Sequence, residues 1–311
     1  MEQFKRSASP NPSPTSPFPS GNRATGERQR GDRRGIGRPK NNIIPGFGLS
    51  MGVTLTMLSL IVLIPLASVL LVLRDYSLAE FWSVITDKQT VATYKISFSC
   101  AATAACVNAF FGILLAWVLT RYKFPGRRIL DGLIELPFAL PTAVAGIAMT
   151  TLYSDKGWLG SLFDKVGVKI SYTTIGITIA MIFIGIPFVV RSIQPVLEKL
   201  DPQYEEAAAV LGAGRALTFF RVVVPEILPA ALTGFALAFA RSIGEYGSVV
   251  FIAGNIPYKT QITPLIIMNK LEQFNYPAAT SIALVMIVFA FLVLFGINVL
   301  QANINKIARG S

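Results

Sequence analysis

Long apolar runs separated by short polar segments dominate the chain from about residue 48 onwards. Each run has the roughly 20 residues that a helix needs to cross about 30 Å of hydrocarbon, and none shows the strict alternation of membrane barrel strands. The runs lie at 48–73, 97–119, 130–152, 173–197, 226–253 and 277–300. The pattern predicts an all-α polytopic membrane protein with six transmembrane helices, the fourth and fifth of which contain charged residues.

The composition of the chain excludes several classes of function. Charged residues make up 14% of the 311 residues, against about 25% in soluble domains. The chain has no histidine, the commonest general base and metal ligand, and no G-x-x-x-x-G-K-[ST] phosphate loop. Cys100 and Cys106 point to different faces of a helix, so we expect neither a disulfide nor a metal site between them. We therefore expect a protein that is not an enzyme by itself and has no cofactor and no nucleic-acid partner.

Residues 1–42 differ in composition from the rest, which we treat as one transmembrane domain, 43–311. The segment is rich in Pro, Ser, Gly and Arg and lacks apolar periodicity, which predicts a disordered basic tail. It is too long and too charged for a secretory signal. A cytoplasmic tail attracted to anionic membrane lipids is the favoured interpretation, and an organellar transit peptide is the alternative.

Basic residues indicate the orientation of the helices. With the N-terminus inside, the inner segments carry more Lys and Arg than the outer loops, even when the tail is set aside. Because cytoplasmic loops carry the excess of positive charge, we expect both termini to be cytoplasmic. The inner loops are then 121–129 and 198–224, and the outer loops are 74–95, 153–172 and 254–276. Two stretches of the outer loops, 77–91 and 263–275, have helical spacing and predict short interfacial helices that cap the bundle or receive an external partner.

One polar stretch, "DPQYEEAAAVLGAGRALTFFRVVVPEILPAALTG" at 201–234, interrupts the apolar pattern. Asp201 is a good N-cap, and Pro202 fits the first helical position. Gly212 and Gly214 are expected to end the helix, Gly212 with a positive φ. A second short helix is predicted at 216–223, before Pro225 opens the next membrane helix.

The first of these helices has one apolar face, with Tyr204, Ala207, Ala208 and Leu211 at helical spacing. Glu205 and Glu206 lie off that face. A helix lying on anionic head groups usually carries Lys and Arg, so the two carboxylates favour docking to a protein partner. The alternative is an amphipathic loop helix at the membrane surface.

The fifth run carries charge in mid-membrane. Arg241 and Glu245 are four residues apart, and Gly234 and Ser248 extend the same helical face. Because an unpaired charge in the membrane is costly, we expect Arg241 and Glu245 to face the protein interior and each other. The pair either fixes helix packing or lines an anion path, and both roles are compatible.

The third run shows a similar stripe. Asp131 and Glu135 lie near its N-terminus, where the helix dipole favours carboxylates, and Thr142 and Gly146 are predicted to continue that face. Prolines inside a helix interrupt its hydrogen bonds and bend it. The prolines that we expect to kink this helix are Pro137 and Pro141.

Motifs in these segments resemble a known family. Glu206-Ala207-Ala208, Gly212 and Val222-x-Val224-Pro225 resemble the EAA loop of ABC-importer permeases (E-A-A-x3-G-x9-I-x-L-P), with Val in place of Ile and Leu. The stretches "LPFALPTAVAGI" (136–147), "SIGEYGSVVFIAGN" (242–255) and "LEQFNYPAATSIA" (271–283) are similar to the CysT (CysU) family of sulfate/thiosulfate permease subunits. The likeness covers the chain from about residue 48 to its end.

The resemblance implies a type I ABC importer permease that forms half of a translocation path. It implies a CysW-like second permease, two copies of a CysA-like ATPase that binds ATP and Mg, and a periplasmic sulfate/thiosulfate-binding protein. The cytoplasmic EAA loop, 201–225, would couple to the ATPase through Glu205, Glu206, Ala207, Ala208 and Gly212. The residues assigned to the path and its gate are Arg241, Glu245, Ser248, Gly234, Thr142, Gly146, Pro137 and Pro141.

Alternatives to this interpretation concern substrate, mechanism and location. Molybdate and tungstate permeases share the "GE-aromatic-G" signature and are the second candidate. A secondary anion transporter in which Arg241 and Glu245 relay a proton is a third, although no internal repeat supports it. We expect a bacterial inner membrane location, with the chloroplast envelope as the alternative.

Overall fold

The computed structural model describes residues 47–74 and 76–310, and the side chains of 304–310 lie outside that description. The predicted tail at 1–42 falls outside the described residues. The described part is helical, in keeping with the predicted all-α class. Its helices, in chain order, are α1 (Phe47–Val72), α2 (Leu78–Ile85), α3 (Lys88–Arg121), α4 (Arg127–Ala139), α5 (Thr142–Tyr153), α6 (Gly160–Asp164), α7 (Thr174–Lys199), α8 (Pro202–Val210), α9 (Arg215–Ile243), α10 (Val249–Ala253), α11 (Thr263–Glu272) and α12 (Tyr276–Gly310).

Five of these helices are long and apolar enough to cross a membrane, namely α1, α3, α7, α9 and the part of α12 up to Asn303. A sixth span exists if α4 and α5 together count as one. The short helices predicted in two of the loops are present as α2 and α11. A capping box between Ser77 and Glu80 starts α2, which ends at Ile85, before the predicted boundary.

The third predicted span is not one helix, which corrects the prediction. It consists of α4 and α5, which meet at an angle of 113°. The break falls at Leu140, whose backbone is extended (φ −93°, ψ 136°), because a residue that precedes a proline avoids the helical region. Pro141 then caps α5, whereas Pro137 lies inside α4. The bend therefore comes from the second proline.

Two other prolines follow π-helical turns. A π-helical turn at Ser59–Leu63 precedes Pro65, and another at Phe219–Val223 precedes Pro225. A proline has no N–H group to donate to the carbonyl four residues earlier, and its ring clashes with that carbonyl. The wider π turn leaves room for the ring. The short helix predicted at 216–223 is consequently the first part of α9, not a separate element.

The fifth predicted span also differs from expectation. It begins earlier, at Arg215, and α9 ends at Ile243, where Gly244 caps it. Residues 244–248 connect it to the short α10. The predicted span of 226–253 therefore contains a break at the position of the glutamate.

Small residues allow the central helices α3, α7 and α9 to pack closely. A Cβ at Gly112 of α3 would lie 2.8 Å from Val189 Cβ of α7, and one at Gly234 of α9 would lie 2.7 Å from Val189 Cα. Helix association in membranes depends on such small residues because lipid supplies little hydrophobic driving force. The role of Gly234 in this structure is therefore close packing of α9 on α7.

Contacts between loops assign them to the two ends of the bundle. At one end Arg121 reaches Leu200, which groups the 121–129 and 198–224 loops. At the other end, Gln89 contacts Gln261 across two predicted outer loops. The outer-loop residues Thr263 and Tyr172 contact Ser97 and Ile252, which lie at the adjoining ends of two predicted spans. This grouping agrees with the predicted loop sets. Which end is cytoplasmic stays a prediction.

Candidate functional site

The EAA loop begins with a well-capped helix. The Asp201 carboxylate accepts from Gln203 N at 3.0 Å, as the sequence predicts for an N-cap. Gly212 has a φ of +83°, which confirms the predicted positive φ. Ala213 N donates to Ala208 O at 3.0 Å, the bond that closes a Schellman motif around a left-handed residue. The direction of the chain after α8 therefore depends on the glycine.

The large apolar side chains of α8 and of Leu211, the residue after it, are mostly exposed. Leu211 and Val210 are each 88% exposed, and Tyr204 is 62% exposed. No residue of α8 is buried. The helix is therefore held at its two ends and largely exposed between them.

The two glutamates of α8 differ in environment. Glu205 Oε1 lies 2.7 Å from Arg121 Nη2, and the Glu205 side chain is 28% exposed. Arg121 also donates to Leu200 O at 3.3 Å and lies over the ring of Trp117. Glu205 therefore anchors α8 to the end of α3, whereas Glu206 is exposed. The partner Arg121 was missed in the sequence because nothing in the local pattern links it to α8.

In the membrane, Arg241 and Glu245 form the expected pair, with Nη1 and Oε2 2.6 Å apart. The predicted stripe on one helix face is wrong, however, because α9 ends before Glu245. The other carboxylate oxygen of Glu245 accepts from Ser248 N at 2.8 Å and from Ser248 Oγ at 2.9 Å. Glu245 is only 2% exposed, so it is a buried charge whose hydrogen bonds are satisfied.

This ionic connection packs directly against α5. A Cβ at Gly146 would lie 2.7 Å from Ser248 Cα, and one at Gly247 would overlap Thr142 Oγ1. Thr142 and Gly146 thus meet the 244–248 break, although they do not continue the face of the carboxylates on α4. The structure brings together five of the predicted path residues, which are Thr142, Gly146, Arg241, Glu245 and Ser248. It places Gly234 elsewhere, against α7, and Pro137 and Pro141 at the α4–α5 bend.

A second charged group involves Arg191 of α7, which sequence reasoning counted only among the inner basic residues. Arg191 Nη1 lies 2.8 Å from Asp131 Oδ1, and Nη2 lies 2.6 Å from Glu135 Oε1. The helix dipole is therefore not the main partner of these carboxylates. Their spacing on one helix face was the available signal, but nothing in the sequence named the cation. Across the described helices, no cluster of three or more His, Cys, Asp or Glu side chains could hold a metal ion.

Comparison with known proteins identifies the family. Residues 108–309 match the model of the family described as binding-protein-dependent transport system inner membrane component. The chain belongs to this family. The permease is 50% identical over 264 residues to the sulfate transport system permease protein CysT of Escherichia coli (strain K12), covering 85% of this chain and 95% of that protein. It is 46% identical over 249 residues to the CysT protein of Synechocystis sp., covering 80% and 87% of the two chains.

These relatives confirm the resemblance to CysT-type permeases that the sequence motifs indicated. A solved bacterial alginate ABC transporter, in complex with a periplasmic protein bound to an alginate pentasaccharide, has a similar fold. The TM-score is 0.70 at 18% identity, and the match covers 83% of this chain and 94% of that chain. At that identity the likeness concerns the fold alone. The permease thus shares the architecture of importer subunits in addition to its family motifs.

Proposed function

We propose that the permease is a transmembrane subunit of an ATP-driven importer for sulfate or thiosulfate, in which it forms half of the translocation path. The observation that carries this proposal is the 50% identity, over 264 residues, to a permease named for sulfate transport. The sequence motif "GEYGSVVFIAGN" is consistent with it. A molybdate permease, the second candidate, is not favoured by the relatives.

The exposed helix α8 is proposed to couple the permease to a separate ATPase. Its apolar side chains and the exposed Glu206 are available to a partner, whereas Glu205 and Gly212 hold the helix in position. Ala207 and Ala208 allow close approach of the partner to the helix backbone. ATP and Mg would bind to that ATPase.

The connection between α5 and the 244–248 break is proposed to border the path. Arg241 is partly exposed, with 36% of its side chain uncovered, and a charged side chain in a membrane span faces a water-filled cavity or a protein surface. Sulfate is a strongly hydrated dianion that needs many converging donors for tight binding. Selection of the anion is therefore assigned to a periplasmic binding protein, and the permease supplies the passage.

The remaining partners follow from the family. We propose a heterodimer with a CysW-like permease, two copies of a CysA-like ATPase and a sulfate-binding protein, in a bacterial inner membrane with both termini cytoplasmic. The alginate transporter with its periplasmic protein supports this kind of assembly. A chloroplast envelope is the other location considered.

The test is reconstitution of the complete complex in proteoliposomes with its binding protein. We expect ATP-dependent uptake of radiolabelled sulfate, ATP hydrolysis stimulated by the sulfate-loaded binding protein, and weak competition by molybdate. Uptake that needs no ATPase subunit would identify a secondary transporter instead. Uptake of molybdate in preference to sulfate would assign the second candidate substrate.

A further inference from the structure

A group of charged side chains ties α4 to α7 near one end of the bundle. The two nitrogens Nη1 and Nη2 of Arg191 are bound to Asp131 at 2.8 Å and to Glu135 at 2.6 Å. Gln194 also accepts from Arg191 through its side-chain oxygen. The guanidinium thus has one carboxylate on each arm, a geometry in which arginine binds oxyanions well.

These side chains are open to surroundings other than this chain. Arg191 is 32% exposed, Asp131 is 43% exposed and Glu135 is 57% exposed. Arg191 lies about two helical turns before Lys199, the last residue of α7, a helix that is long and apolar enough to cross a membrane. Because hydrocarbon excludes charge, the group faces a water-filled passage or a neighbouring subunit. An anion path offers the water that three partly exposed charged groups require.

The formal charge of the group opposes an anion. One guanidinium and two carboxylates leave an excess of negative charge on this part of the path. The same masking occurs at Arg241, whose partner is Glu245. In this conformation, therefore, neither of these arginines offers an unpaired positive charge to a passing anion.

The helix that carries the two carboxylates is set off from α5 by a sharp bend. The 113° break isolates α4 from α5. Besides the ion pairs, α4 packs on the bundle through Leu130, the buried Ile134 and Pro137, and the ring of Phe138, whose centroid lies 5.2 Å from that of Phe188. A small rotation of α4 about its break would draw both carboxylates away from Arg191.

We propose that Arg191 is an anion-contact residue of the path, masked by Asp131 and Glu135 in this conformation and uncovered when α4 turns away. A tetrahedral oxyanion such as sulfate then takes the place of the carboxylates on the guanidinium. While α4 is in place, the excess negative charge keeps anions from leaking through. This inference rests on the proposed transport function and adds a site and a barrier to it.

The experiment measures passive sulfate efflux, without ATP, from proteoliposomes that contain the complete transporter. Replacing both carboxylates in Asp131→Asn/Glu135→Gln removes the masking charges and leaves Arg191 positive. We expect this variant to leak sulfate at least tenfold faster than wild type. Adding Arg191→Gln removes the cation as well, and the leak of the triple variant should return to within about twofold of wild type. The single Arg191→Gln variant should lose at least tenfold of its ATP-driven uptake without an increased leak.

A matched control is the exposed ion pair of Lys169 and Asp155, in a segment outside the membrane spans, with side chains 64% and 61% exposed. The Lys169→Gln/Asp155→Asn variant should leak no more than wild type. Should the double carboxylate variant fail to assemble, Glu135→Gln alone keeps the bond to Asp131 and should still leak at least threefold faster.

An unchanged leak in both carboxylate variants would overturn the proposal. So would a triple variant that leaks as fast as the double variant, because the leak would then come from a loosened helix and not from an uncovered cation. Wild-type uptake is measured first. Its absence would count against the transport function itself, whereas the leak comparison among variants of an active transporter tests only the role of Arg191.

Discussion

Gly212 sets the direction in which the chain leaves α8. Its φ of +83° lies in the left-handed region, which costs a residue with a side chain roughly 1–2 kcal/mol and a β-branched residue more. Gly214 has a φ of −71° and open space around its Cα, so the same change there is tolerated. The two glycines, two residues apart, form a matched pair for testing the loop.

We predict that Gly212→Val lowers ATP-driven sulfate uptake at least tenfold, whereas Gly214→Val leaves it within about threefold of wild type. The reason is that a misdirected α8 no longer fits its partner. Glu206→Lys should also lower uptake, because it replaces the negative charge of the one exposed carboxylate of this helix by a positive charge. The coupling is measured as ATP hydrolysis stimulated by the binding protein. Normal uptake by a Gly212→Val/Glu206→Lys double variant would show that this loop does not couple the permease to the ATPase.

The pair of Arg241 and Glu245 should behave as a unit. Arg241→Ala leaves a carboxylate that is 98% buried without its cation, and breaking a buried pair costs about 3–5 kcal/mol. We predict that each single alanine variant reduces the yield of assembled complex and that the double variant restores it. If Arg241 also contacts the anion, the double variant assembles but transports poorly. Full uptake by Arg241→Ala alone would contradict both roles.

At the scale of elements, the contact of α5 with the 244–248 break is the closest approach between two predicted path segments. Gly146 has no room for a Cβ beside Ser248, whereas Gly132 of α4 has nothing within 4 Å. We predict that Gly146→Val displaces the break, weakens the hydrogen bonds from Ser248 to Glu245 and lowers uptake at least tenfold. Gly132→Val is the control and should keep more than half of the activity. Equal effects of the two changes would indicate a general loss of helix flexibility.

The breaks show where sequence reasoning reaches its limit. Hydropathy located the five helices that are long and apolar enough to cross a membrane and the bent pair of α4 and α5, because burial in lipid leaves a strong and local signal. It gave no indication that α9 ends at Ile243, since the apolar pattern continues through the break. The proline at 141 was recognised, but whether a proline bends a helix, ends it or is absorbed by a π turn depends on the carbonyls and neighbours around it. In this chain Pro65 follows a π turn, Pro137 lies inside α4, and Pro141 follows the end of α4.

The sequence also did not predict the ion pairs between residues that are far apart along the chain. Asp201 acts on the backbone two residues ahead, and Gly212 acts through its own φ, so both local features were predicted correctly. Arg121 with Glu205, and Arg191 with Asp131, are joined only by tertiary packing. A single sequence carries no information on such pairs. The sequence therefore named charged residues that do form ion pairs but not the partners Arg121 and Arg191, and the role of these residues in transport stays a prediction.

For the whole molecule, the grouping of the loops at two ends predicts the outcome of surface labelling. With Cys100 and Cys106 replaced by Ser, we expect a cysteine at position 165 to react with an impermeant reagent in intact cells. A cysteine at position 199 should react only after the membrane is permeabilised, because basic residues favour the cytoplasmic side. Both native residues at these positions are exposed lysines. Labelling of position 199 from outside would reverse the assigned orientation.

The continuity of α9 has a mechanical consequence. The helix is 29 residues long, or about 43 Å at 1.5 Å per residue, and its π turn takes up Pro225 without a break. One end of α9 adjoins the exposed α8 loop, and the other end, Ile243, lies two residues after Arg241. For a rod of that length, a tilt of about 10° about one end moves the other by roughly 7 Å. A tilt of α9 by a few degrees would therefore be enough to separate side chains near Arg241 that now lie within hydrogen-bonding distance. A small movement at the loop end of the helix would suffice for that tilt.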